Sequence, residues 1–164
     1  MRTAPALALL AALFLVPLAI PSVRAADKPE ATPRFVSLRA DVVNLRTGPG
    51  DRYPVEWVYH RKGLPVEIIA QYEQWRRIRD SQGTEGWVHQ RLVTGQRNVI
   101  VKGAQQVLHA EADAASPAMA KLDPGVIAHL LECKGDWCRI EAQSIRGWLT
   151  RGVIWGVYPN EELR

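Results

Sequence analysis

The chain has 164 residues, 47% of them hydrophobic, 23% charged and 7% aromatic, with a formal net charge of +4. That composition excludes a wholly disordered or collagen-like polymer, and two cysteines are too few for a disulfide-dense miniprotein. The length admits one domain of ordinary size or two small ones.

The first 25 residues read as an export address. Met1-Arg2 is followed by an 11-residue apolar run from Ala6 to Val16, then by Pro17, Pro21 and the small residues Val23 and Ala25. This is the tripartite pattern of a cleavable signal peptide over residues 1–25. A membrane anchor is the competing reading. Spanning takes about 20 apolar residues, and Pro17 and Pro21 interrupt a helix of that length. No cysteine stands near the cleavage point to carry a lipid.

The expected mature chain runs from Ala26 to Arg164, 139 residues with no membrane span, in a periplasmic or extracellular space. Without Arg2 and Arg24 it holds 19 basic and 17 acidic residues, net +2. That balance lacks the basic stripe that nucleic-acid binding requires, so nucleic acid is set aside as a partner.

Residues 26–34 form a polar leader with two prolines and no apolar periodicity. Short apolar runs follow at Val36–Leu38, Val55–Tyr59, Leu64–Ala70, Trp75–Arg79, Gly86–His89 and Val99–Val101, divided by Gly, Pro, Asp and Asn clusters. Closely spaced strands with turn signals predict an all-β barrel or sandwich. Only Ala112–Leu122 is helix-friendly, and Pro117 limits it to a single turn.

An internal repeat organises these runs. Leu45, Pro54, Gly63, Trp75 and Gly86 recur as Leu108, Pro117, Gly125, Trp137 and Gly147, at offsets of 63, 63, 62, 62 and 61. Single-residue deletions in loops account for the drift. The chain therefore reads as two copies of one β-unit of roughly 60 residues, near the lower size at which domains fold alone.

Val43-Asn44-Leu45-Arg46-Thr47-Gly48-Pro49-Gly50, the Tyr53-Pro54 pair and the closing Gly86-Trp87-Val88 strand resemble the bacterial SH3 family. The second copy keeps Gly147-Trp148-Leu149. It departs at the opening, where His109 replaces Arg46, Glu111-Ala112-Asp113 replaces Gly48-Pro49-Gly50, and Ala120 replaces Trp57. The resemblance implies two tandem small SH3-like barrels of five to six strands, over residues 35–97 and 98–158, with a tail at 159–164. It implies cell-wall or envelope binding, no catalysis and no cofactor.

Gly48-Pro49-Gly50 places a φ-locked proline between two residues that tolerate positive φ, which suits a tight surface loop. In Trp75–Arg79, alternation sets Ile78 on one face and Trp75, Arg77 and Arg79 on the other. With Ile78 in the core, Trp75 points outward; with Val88 in the core, so do Trp87 and His89. Arg46, Tyr53, Trp57, Trp75 and Trp87 are the candidate binding residues, a shallow aromatic shelf with a cationic rim for a peptidoglycan stem peptide. The competing role is structural: these aromatics plug the barrel ends or stack one barrel on the other. Trp75 and Trp87 recur in the second copy, which favours that duty for them; Arg46, Tyr53 and Trp57 do not recur. Residues 34–97 carry net +4 and residues 98–164 net −1, so the first copy could attract an anionic partner.

Cys133 and Cys138 flank Lys134-Gly135-Asp136-Trp137, with Leu131 and Cys133 on one strand matched to Cys138 and Ile140 on the other. Across such a hairpin a disulfide fits an oxidising compartment. A metal site is the rival, and nothing in the spacing selects zinc. No hydrolase or protease motif is present, and nothing singles out a catalytic pair from Asp41, Asp51, Glu56, Glu67 and Asp80. The expectation is a non-catalytic envelope module that binds peptidoglycan or its peptides. The alternative is a scaffold for another envelope protein or an accessory of a wall hydrolase.

Overall fold

The computed structural model describes residues 32–163, and the expected signal peptide and most of the expected leader lie outside the described residues. The first sheet comprises β1 (Arg34–Leu38), β2 (Val43–Arg46), β3 (Val55–Tyr59), β4 (Pro65–Tyr72), β5 (Trp75–Arg79), β6 (Glu85–His89) and β7 (Val93–Thr94). Its strand order is β3-β2-β6-β5-β4-β1-β7. The second sheet comprises β8 (Asn98–Val101), β9 (Gln106–His109), β10 (Ala118–Leu122), β11 (Ile127–Lys134), β12 (Trp137–Ala142), β13 (Ile145–Thr150) and β14 (Ile154–Trp155). Its order is β10-β9-β13-β12-β11-β8-β14, the first order advanced by seven labels.

The duplication holds strand for strand. Trp75 and Trp137 each open the fifth strand of their sheet, opposite Tyr72 and Lys134. Each copy is a small SH3-like barrel of seven strands rather than five or six, because two-residue β7 and β14 follow single 3-10 turns at Gln90–Leu92 and Arg151–Val153. Two loops absorb the drift in spacing. Residues 60–64 join β3 to β4 where 123–126 suffice between β10 and β11, and residues 80–84 join β5 to β6 where Gln143-Ser144 suffice. That pair turns at φ 48° and 71°, the left-handed values of a tight hairpin.

Not even the single helical turn allowed at most within Ala112–Leu122 forms; residues 118–122 are edge strand β10. Pairing with β9 from Leu122↔Gln106 to Ala118↔His109 overrides the local preference of the alanines.

Alternation drives each core. Val36, Leu38, Val43, Leu45, Val66, Ile68, Ile78 and Val88 fill the first barrel with Tyr59. Val99, Val101, Leu108, Leu122, Leu130, Ile140 and Leu149 fill the second around Cys133 and Cys138. Each large side chain so buried contributes about 1.5–3 kcal/mol. A bulge at Ile68/Ala70 in β4 is repeated at Leu130/Glu132 in β11. The second bulge shifts the inward set to Leu130 and Cys133, so Leu131 does not share the face of Cys133 as strict alternation requires. Cys133 and Cys138 stand directly opposite, with Cα atoms 4.1 Å apart, and are disulfide-bonded.

Gly95-Gln96-Arg97 links the barrels, and the contact between them is aromatic and ionic. The Phe35 ring meets Trp155 edge-on at 4.9 Å and Tyr158 at 4.7 Å. Tyr158 donates its hydroxyl to Glu67 at 2.9 Å, and Arg97 forks onto both carboxylate oxygens of Glu161. Asn98 Nδ2 donates to the Gly63 carbonyl at 2.7 Å, and Arg61 Nη2 to the Gly125 carbonyl at 2.8 Å. None of Trp57, Trp75 and Trp87 takes part in these contacts. The tail is docked too: Leu163 pairs with Cys133, whose amide donates to the Leu163 carbonyl at 3.0 Å.

Candidate functional site

β2 delivers Arg46 to the start of the 47–54 loop. Arg46 Nη1 donates to the carbonyls of Asp51 at 3.0 Å and Tyr53 at 2.8 Å, and Nη2 lies 3.7 Å from the Asp51 carboxylate. The Tyr53 ring folds back over the loop. A Cβ on Gly48 would sit 2.5 Å from Tyr53 Cδ1, and one on Gly50 3.3 Å from Cδ2. Neither glycine has positive φ, so close approach of the ring, not a left-handed backbone, is what requires glycine at Gly48.

On the outer face of the first sheet, side chains line up in cross-strand rows. Tyr72, Trp75 and His89 make one row. Ala70, Arg77, Trp87 and Arg46 make the next. The second barrel repeats the latter as Glu132, Arg139, Trp148 and His109. Gly86 lets β6 cross β2 closely, since a Cβ there would lie 2.5 Å from Leu45 Cγ and 2.9 Å from the Arg46 carbonyl. Gly147 repeats that crossing over Leu108 and the His109 carbonyl.

A cleft of about 240 Å³ opens at the end of these rows, lined by Val42, Asn44, Arg46, Asp51, Trp75, His89, Arg91 and Leu92. Trp75 lies on the outer face, as alternation requires, yet is only 9% exposed, because the His89 ring meets it edge-on at 5.5 Å. It is a wall of the cleft and not an outward shelf. Arg91 stands exposed at the cleft and forms no ion pair among the described residues; its amide donates to His89 Nδ1 at 3.2 Å.

The five candidates therefore do not form one surface. Arg46 and Trp75 share the cleft; Tyr53 reaches it through the carbonyl that Arg46 holds; half-buried Trp87 sits beside Arg46 in register without lining it. Trp57 lies on β3, 54% exposed, in a separate groove of about 320 Å³ with Tyr59, His60, Arg61, Leu64, Asp80 and Ile100. Asn44 and Arg91 are cleft residues that sequence reasoning missed, and Arg91 belongs to a 3-10 turn with no periodic signal.

Asp80 is a hairpin cap, not an acid–base group. One oxygen accepts the amides of Gln82 and Thr84 at 2.9 Å each, and the other accepts the Tyr59 hydroxyl at 3.0 Å. Burial, then the nearby Asp80 carboxylate, pushes the Tyr59 phenol well above its ordinary range. Among the described residues no group of three or more His, Cys, Asp or Glu side chains could hold a metal ion. No helix there is long and apolar enough to cross a membrane.

A family model described as bacterial SH3 domain matches the chain twice, at residues 39–95 and 102–156. No curated protein matches it. Among solved structures, NlpC2 from Trichomonas vaginalis is similar at 11% identity and TM-score 0.36, over 76% of this chain and 48% of that one. NlpC1 from Trichomonas vaginalis is similar at 10% identity and TM-score 0.36, over 83% and 50%. An NlpC/P60 family protein from Bacillus cereus is similar at 12% identity and TM-score 0.34, over 74% and 55%. The chain thus spans about half the length of these structures.

Proposed function

The chain belongs to the bacterial SH3 domain family, and from that premise we propose that it is an exported, non-catalytic binding module of the bacterial envelope. The first barrel, residues 35–97, recognises peptidoglycan through its stem peptides. The second, residues 98–158, is the supporting copy, and its His109 lacks the guanidinium of Arg46.

One observation carries this reading: the first barrel sets an unpaired guanidinium, Arg91, beside an apolar wall of Trp75, Val42 and Leu92 in one cleft. A stem peptide is extended, partly apolar and ends in a carboxylate. Its apolar side chains lie against Trp75 and Leu92, the Asn44 amide meets its backbone, and Arg91 takes the carboxylate with a charge-assisted hydrogen bond. Arg46 is a positioning residue, because its Nη1 is spent on the loop that forms one side of the cleft.

Co-sedimentation with purified sacculi tests the reading. The mature chain is retained at low salt, and Arg91→Ala weakens retention by roughly tenfold while leaving the thermal transition in place. Absence of retention at low salt, or retention indifferent to both Arg91→Ala and Asn44→Ala, overturns it.

A further inference from the structure

β3 ends the first sheet and is hydrogen-bonded on one side only, to β2. A strand so placed presents a row of unpaired N–H and C=O groups, which soluble proteins blunt with charged side chains, lysine above all, with proline, a bulge or a covering element. β3 reads Val-Glu-Trp-Val-Tyr and contains neither lysine nor proline; its one charge is exposed Glu56, at the bulge between Val55 and Trp57. It leaves Val55 42%, Trp57 54% and Val58 36% exposed. The equivalent edge β10 reads Ala-Met-Ala-Lys-Leu and carries exposed Lys121. The two copies have therefore diverged at this edge: β10 carries a lysine among alanines where β3 carries a glutamate and an exposed tryptophan.

We propose that β3 is a docking edge that accepts, as an added strand, an apolar segment with acidic flanks from a partner protein. Charge chooses the occupant. Arg52 precedes the strand and His60, Arg61 and Lys62 follow it, all exposed, and none of the four forms an ion pair among the described residues. The Trp57 groove continues past this basic end to Leu64 and Ile100, giving the incoming segment an apolar seat. A second copy of the chain fits poorly. Antiparallel self-pairing centred on Trp57 sets Arg52 opposite Lys62 and brings the basic ends together, and directly opposed like charges are destabilising. The groove shares no lining residue with the Arg91 cleft, so this edge and stem-peptide binding stand or fall separately.

The probe is a synthetic peptide of alternating valine and threonine flanked by aspartate and glutamate, with a lysine-flanked version as control. Both are titrated into the 15N-labelled mature chain. The acidic-flanked peptide shifts the amides of residues 55–59 and slows their hydrogen exchange, and its affinity falls with added salt. The lysine-flanked peptide binds at least about tenfold more weakly. Trp57→Lys abolishes the response. Should that variant lose its folded spectrum, Lys62→Glu with Arg52→Glu reverses the preference of the two peptides. Equal binding of both peptides, shifts confined to the Arg91 cleft, no binding by either, or a concentration-dependent dimer that protects β3 overturns the proposal.

Discussion

Arg46 donates from Nη1 to the carbonyl of Tyr53 at 2.8 Å, and so fastens the opening loop of the first barrel to the end of β2. The second barrel builds the same fastening from different chemistry. His109 stands where Arg46 does, and its Nδ1 faces the carbonyl of Ser116, the residue equivalent to Tyr53, at 3.2 Å. What the two copies share is thus a side-chain donor at this position, not an arginine.

Arg46→Ala should therefore loosen the loop before it weakens any ligand. It removes two charge-assisted bonds to half-exposed carbonyls, an expected cost of about 1–2 kcal/mol. Arg46→His should restore part of that, since the second barrel manages with histidine. Chemical denaturation, with amide relaxation over residues 47–54, measures both. Equal stability of the three proteins would remove the fastening role.

The architecture could be read from residue order because period-two alternation and the recurring glycine and tryptophan landmarks both report on the backbone. The candidate site was harder, for particular reasons. Alternation assigns Trp75 its face but cannot show that His89, one strand over, covers it. It also fails across the bulges at Ile68/Ala70 and Leu130/Glu132, which is why Leu131 does not share the face of Cys133. Trp57 and Arg46 lie on adjacent strands, yet a bulge sets Arg46 opposite Val55 and Trp57 opposite Leu45, and the tryptophan of edge strand β3 lines another groove. Arg91 enters the cleft from a single 3-10 turn, which leaves no pattern to find.

The two Gly-Trp motifs make a graded prediction. A methyl at Gly147 meets the backbone carbonyl of His109 at 2.6 Å, whereas at Gly86 the backbone contact is 2.9 Å and the closest atom belongs to the Leu45 side chain. A side chain can move more cheaply than a strand. Gly86→Ala should cost about 1–3 kcal/mol, as overpacking usually does, and Gly147→Ala more. Thermal unfolding of the two variants checks the order, and a milder Gly147→Ala would contradict it.

The disulfide closes a short loop, its cysteines five positions apart in sequence. Loop entropy then sets its contribution near 2 kcal/mol, the low end of the usual range. Both cysteines are almost fully buried in the second core, and Leu163 covers the Cys133 backbone. Reduction should require prior opening of that barrel, so reductant acts slowly on the native protein and fast in mild denaturant. Thiol labelling over time with and without urea distinguishes this from a surface disulfide, which would reduce at one rate in both.

The ion pair of Arg97 and Glu161 joins the linker between the barrels to the tail, and it gives the junction a pH dependence with a definite sign. Burial alone would raise the Glu161 carboxyl, but the hydrogen bonds from Arg97 and the Tyr158 amide, with the charges of Arg97 and Arg151, outweigh it and hold the group below its ordinary 4.5. A carboxyl depressed in the folded state stabilises above its unfolded value and loses that contribution as pH falls through the folded one. Glu161→Gln should thus lower the melting temperature by a few degrees near neutrality. The gap to the natural chain should stay constant down to about pH 5 and close below that. Tyr158 also donates to Glu67, Asn98 to Gly63 and Arg61 to Gly125, so the variant keeps three polar ties across the junction and the barrels stay docked. Calorimetry across pH 3–7 reads the gap directly. A gap that widens on acidification would mean that Glu161 is held in its protonated form, and the ionic tie between linker and tail would be lost from the account of the junction.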